Sequence, residues 1–127
     1  MGEYQKAEPL YLKALKIREK VLGEEHPDTA TSYNNLAGLY ESIGEYQKAE
    51  PLYLKALKIC EKVLGEEHPY TATSYNNLAI FYYGQGDYER AYEFIKRAVE
   101  VGSKVLPKGH PDLVNSKEAL EIIEGRL

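Results

Sequence analysis

With 16 basic and 20 acidic side chains in 127 residues, the chain carries a formal charge of −4. It shows no single-sign basic face, which argues against nucleic acid and anionic lipid as partners. Its 43% hydrophobic residues are scattered among 28% charged ones, with no apolar run near the ~18 residues of a membrane span and no charged-then-apolar leader. The chain reads as soluble and cytoplasmic. Cys60 stands alone, so no internal disulfide can form.

Residues 2–43 and 44–85 are nearly the same text. They differ only at Arg18/Cys60, Asp28/Tyr70, Gly38/Ile80, Leu39/Phe81, Glu41/Tyr83, Ser42/Gly84 and Ile43/Gln85. A third, diverged copy occupies 86–127. Self-similarity at such a period signals stacked supersecondary units whose core runs along the stack. Residues 1–127 therefore read as a single domain of three periods.

In chain order, the first element is a long helix over 3–22, repeated at 45–64 and 87–106. In the second copy Tyr46, Ala49, Tyr53, Ala56, Leu57, Cys60, Val63 and Leu64 are spaced by threes and fours, drawing one apolar stripe. Pro9 and Pro51 remove an amide from an early turn and should bend the helix slightly. Gly65 suits a left-handed terminator, and Lys58 and Lys62 place positive charge near the negative helix end.

The following His-Pro pair starts a shorter helix, because proline suits a first turn and pushes its predecessor out of helical dihedrals. These shorter helices are expected over 27–42, 69–84 and 111–124, with Ala72, Tyr75, Leu78, Ala79 and Tyr82 as the apolar positions of the middle one. There is no strand signal. In the third copy Lys117, Glu121 and Glu124 replace Tyr, Ala and Tyr, so 111–125 reads as a solvated C-terminal cap. At the other end Tyr4, Ala7, Tyr11 and Ala14 lack a partner helix. Either the chain was cut from a longer array or that face pairs with another copy as a homo-oligomer.

Tyr33-x-x-Leu36-Ala37-x-x-Tyr40-x-x-x-Gly44-x-Tyr46-x-x-Ala49-x-x-x-Tyr53-x-x-Ala56-Leu57 resembles the tetratricopeptide repeat. It recurs as Tyr75, Leu78, Ala79, Tyr82, Gly86, Tyr88, Ala91, Ile95 and Ala98. A half-unit stands at Tyr4, Ala7, Tyr11, Ala14 and Leu15. The period of 42, with Leu64-Gly65-x-x-His68-Pro69 and Tyr75-Asn76-Asn77-Leu78-Ala79, is similar to the long-repeat branch of kinesin light chains and bacterial tandem arrays. The resemblance implies an all-α, right-handed solenoid of antiparallel helix pairs with about six helices. Small Ala37, Ala49 and Ala56 would let helices approach, while Tyr40, Tyr46 and Tyr53 fill the gaps.

His26, His68 and His110 recur before proline, but one period of stacking separates successive loops by roughly 10 Å. That is too far for one tetrahedral metal, so helix capping is expected and no metal site or cofactor. No nucleophile–base pair, phosphate loop or paired carboxylates stand at usable spacing, so no catalytic residue is expected and the chain is read as non-enzymatic.

In the resemblance, the shorter helices line a concave groove at Thr31, Asn34, Asn35, Gly38, Glu41 and Ser42, then Thr73, Asn76, Asn77, Ile80, Tyr83 and Gly84. Asn offers donor and acceptor together and can hold the main chain of an extended peptide. Asn34 and Asn76 could equally bond a neighbouring helix. Five of the seven differences between the first two copies cluster at the end of this helix, with Leu39/Phe81 and Ile43/Gln85 expected to face helices. The expected function is a protein- or peptide-binding scaffold. The alternative is a structural, self-associating segment of a longer array, such as the arm of a multidomain bacterial signalling protein.

Overall fold

The structure is a computed structural model and describes residues 2–127. Among the described residues there are six helices and no strand: α1 (Gly2–Leu22), α2 (Pro27–Ser42), α3 (Tyr46–Val63), α4 (Pro69–Gly84), α5 (Tyr88–Val105) and α6 (Pro111–Glu124). The fold is all-α, as expected, and every boundary lies within one residue of the sequence expectation.

Local chemistry explains the boundaries. His26 Nδ1 accepts from the Asp28 amide at 3.0 Å, His68 Nδ1 from Tyr70 at 3.0 Å and His110 Nδ1 from Asp112 at 3.1 Å. Each histidine thus satisfies an amide that the helix start would leave orphaned, with proline at the first helical position. Thr29 and Thr71 hydroxyls donate to the carbonyls of Gly23 and Gly65 at 2.8 and 2.7 Å, tying each loop to the next helix. Gly65 has φ +90 and Gly44 φ +82, a region that L side chains resist. The glycine turn lets the Glu45 amide reach back to the Tyr40 carbonyl at 2.8 Å, closing the end of α2.

The chain divides into two compact units, one running to Val63 and one from Leu64 to Leu127. In the first, α2 packs against both α1 and α3. Lys48 lies 5.4 Å from the Tyr40 ring and Lys55 4.7 Å from the Tyr33 ring. Partners that descend α2 as they ascend α3 define an antiparallel pair. The same inversion relates α1 to α2, where the Tyr33 hydroxyl donates to Glu19 Oε2 at 2.6 Å and the Glu8 carboxylate is near enough to Tyr40 to add to the rise that burial gives its phenol.

In the second unit α5 packs between α4 and α6, and α4 touches α6 as well. Arg90 lies over the Tyr82 ring at 5.4 Å and Arg97 over the Tyr75 ring at 5.9 Å, again antiparallel. Phe94 stacks on both tyrosines, with centroids at 6.4 and 5.8 Å. Leu78, Ala79, Ala91 and Ile95 are wholly buried there, and a fully buried Leu or Ile side chain contributes about 1.5–3 kcal/mol.

The stripe on α3 is narrower at its ends than the spacing implies. Ala49, Tyr53, Ala56, Leu57 and Cys60 are buried, but Tyr46 and Val63, in the first and last turns, are exposed. Tyr46 is therefore only partly covered, at the first turn of α3. Ile59, flanking the stripe, is buried instead. Ile43, expected against a helix, is the exposed C-cap of α2, and Gln85 takes the corresponding exposed place after α4. Lys117, Glu121 and Glu124 are exposed on α6. Tyr4, Tyr11 and Ala14 are exposed on α1.

Candidate ligand-binding faces of the shorter helices

α2 is buried on two sides, which leaves a narrow strip for a ligand. Thr31 is exposed, but its hydroxyl donates to the Pro27 carbonyl one turn back at 3.3 Å. Asn35 is exposed, and Asn34 is half-buried with a buried Oδ1 that has no hydrogen-bond partner among the described residues. Glu41 is turned toward its neighbouring helix, where Oε1 accepts the Tyr53 hydroxyl at 2.7 Å. Burial, then the hydrogen bond to Glu41, pushes the Tyr53 phenol well above its ordinary value. Glu41 thus reads as a helix-to-helix tie, and its carboxylate is engaged before any ligand arrives.

The structure brings Asn35 together with residues the sequence had assigned to a different feature. A solvent-open notch of about 420 Å³ runs between α1 and α2, with Tyr4, Ala7 and Tyr11 on one wall and Asn35 and Ser42 on the other. Gly38 faces the same notch. A Cβ there would meet only the Tyr53 hydroxyl, at 3.6 Å.

On α4, Thr73 donates to the Pro69 carbonyl at 3.1 Å, repeating Thr31. Asn76 Oδ1 accepts the Ser116 hydroxyl of α6 at 3.0 Å, so this amide oxygen ties α4 to α6. Asn77 is half-buried and Ile80 is 50% exposed, on a helix whose Tyr75, Leu78, Ala79 and Tyr82 are buried. Tyr83 stands 5.4 Å from the Tyr88 ring, over which Arg126 lies at 5.8 Å.

Beside this strip, a cavity of about 90 Å³ lies among α4, α5 and α6, floored by Gly102 and walled by Thr73, Asn76, Asp112 and Ser116. Sequence reasoning missed it. The available signal was the aligned column Arg18/Cys60/Gly102, which loses its side chain in the third copy.

Among the described residues no group of three or more His, Cys, Asp or Glu side chains could hold a metal ion, and no helix is long and apolar enough to cross a membrane.

A tetratricopeptide repeat family model matches residues 1–61, 39–104 and 70–125. A search of curated protein sequences found no significant match. Among solved structures, BtubC (BKLC) from P. vanneervenii superposes with a TM-score of 0.88 at 31% identity, over 98% of this chain and 50% of that one. A Podosopora anserina kinesin light chain with nearly identical TPR-like repeats gives a TM-score of 0.76 at 30% identity, over 98% of this chain and 59% of that one. The chain thus spans little more than half the length of these relatives.

Proposed function

Since the chain belongs to the tetratricopeptide repeat family, we propose that it is a non-enzymatic, cytoplasmic scaffold that binds protein or peptide at the exposed strip of α2 in one unit and at that of α4 in the other. Repeats of this family generally mediate protein–protein interaction, and kinesin light chain-like relatives are generally scaffolds. The observation that carries the reading is Ile80. An aliphatic side chain half in water beside Asn77, on a helix that buries Ala72, Leu78, Ala79 and Phe81, gives a ligand an apolar contact next to an amide that can hold its main chain. On α2 the amide of Asn35 stands across the notch from Tyr4 and Tyr11, rigid aromatic surfaces of the kind that anchor interfaces.

Thr31, Asn34, Thr73, Asn76 and Tyr83 frame these contacts in this account, and Glu41 holds the helix pair in place. The test uses a peptide selected by display on the intact chain, with affinity measured by calorimetry. Asn35→Ala and Asn77→Ala should each weaken it several-fold, the loss of one hydrogen bond of about 1 kcal/mol, with helicity unchanged. Unchanged affinity in both variants would refute the proposal.

A second reading is favoured by one comparison inside the first unit. Tyr11 is 39% exposed on α1, whereas its repeat equivalent Tyr53, covered by α2, is 7% exposed. In that reading the open face of α1 (Tyr4, Ala7, Tyr11, Ala14) pairs with another helix of the same type, as in a self-associating array. Sedimentation of a strict monomer at high concentration would dismiss pairing between copies.

A further inference from the structure

We infer that the cavity floored by Gly102 is a socket for a guanidinium group, and hence for an arginine side chain of the bound protein or peptide. The first unit supplies the template. There Arg18 of α1 sends Nη1 to the Asp28 carbonyl at 2.8 Å and to Ser32 Oγ at 2.9 Å, at the start of α2. In the second unit the residues at those repeat positions are Gly102, Asp112 and Ser116. The two acceptor residues are kept and the cation is gone, and all three line the cavity of about 90 Å³. At ~10–15 Å³ of such space per water, the void is larger than a single solvent molecule requires.

The hydrogen-bonding capacity of the walls agrees with that template. Ser116 spends its hydrogen on Asn76 Oδ1, and Thr73 spends its own on the Pro69 carbonyl. Both hydroxyls are left presenting lone pairs, and the other acceptor of the template is a main-chain carbonyl, whose counterpart here is that of Asp112. A helix start usually attracts anions, but here the Asp112 amide is committed to His110 Nδ1 and the Val114 amide to the His110 carbonyl at 3.0 Å. Pro111 has no amide hydrogen. Asn76 and Asn115 also line the pocket, with amides that can donate as well as accept. The sign of the ligand therefore rests on the first-unit template, whose two kept positions accept from Arg18, and a planar guanidinium matches that template better than a compact ammonium.

This inference rests on the peptide-binding reading for its biological meaning, but its chemistry can be tested separately. The probe is N-acetylarginine amide, titrated into the isotopically labelled full chain by NMR, with N-acetyllysine amide and acetate as comparisons. Saturable shifts should centre on Gly102 and residues 112–116 with the arginine probe, and be weaker or absent with the others. Gly102→Arg should fill the socket and abolish them. A Cβ at this position meets Leu113 Cδ1 at 3.1 Å, a movable side-chain tip. Should that variant misfold, Ser116→Ala should weaken binding about tenfold through loss of a hydrogen bond to a charged group.

Absence of saturable shifts, a stronger response to acetate, or undiminished binding in a folded Gly102→Arg or Ser116→Ala would overturn the inference. Undiminished peptide capture in the Asn35 and Asn77 variants, with arginine-amide binding intact, would leave the socket standing and count against only the wider function.

Discussion

The repeat provides a matched pair of isoleucines in almost identical text, KALKIREKV and KALKICEKV, yet Ile17 is 53% exposed and Ile59 is 5% exposed. Replacing each by Ala removes the equivalent of about three methylenes. At ~0.8 kcal/mol per buried methylene, Ile59 loses roughly 2.4 kcal/mol of transfer free energy, and a residual cavity raises the cost to about 3 kcal/mol. Ile17 forfeits about half of the transfer term, and water fills the space, so its cost is about 1 kcal/mol. The gain in helix propensity is common to both positions and cancels in the comparison. Urea unfolding followed by far-UV circular dichroism should therefore place Ile59→Ala below Ile17→Ala by about 2 kcal/mol, or several degrees in a parallel melt. Equal destabilisation would refute the argument that the copies differ in burial, and with it the account of α1 as an open helix.

Three further outcomes follow from the geometry. Burial, then carboxylate hydrogen bonds, raises the phenols of Tyr53, Tyr33 and Tyr40. The folded chain therefore keeps protons that the unfolded chain releases near pH ~10. Their contribution is complete below that pH and is lost as pH climbs from it toward the folded values. Tyr53→Phe should move alkaline unfolding to higher pH in a spectrophotometric titration, and an unaltered profile would contradict it. Gly65→Ala, at φ +90, should cost about 1 kcal/mol in thermal melts. Gly84→Ala, which meets nothing within 4 Å and has ordinary φ, should be neutral or mildly stabilising.

Much of the fold was legible because its punctuation is local. His-Pro starts a helix by capping chemistry contained in three residues, and Gly44 and Gly65 end one by a backbone conformation that other residues resist. The width of the buried face was less legible. Spacing locates the middle of a stripe, at Ala49, Tyr53 and Ala56, but the exposure of Tyr46 and Val63 depends on how far neighbouring helices extend past a helix end.

The candidate faces were least legible of all. Asn76 and Glu41 carry the same chemistry whether they meet a ligand or a neighbouring helix, and only the Ser116 and Tyr53 contacts reveal the structural bonds they make. The meeting of Asn35 with Tyr4 and Tyr11 joins residues some thirty positions apart, and the socket at Gly102 depends on a side chain that is missing.

The most direct test of the central claim is to map, by backbone amide NMR, where a display-selected peptide contacts the full chain. The account predicts perturbations concentrated on the exposed strips of 31–42 and 73–84, with Asn35, Asn77 and Ile80 among the strongest. A footprint confined to the outward faces of α3 and α5, or failure to enrich any peptide above an unrelated helical protein, would contradict it.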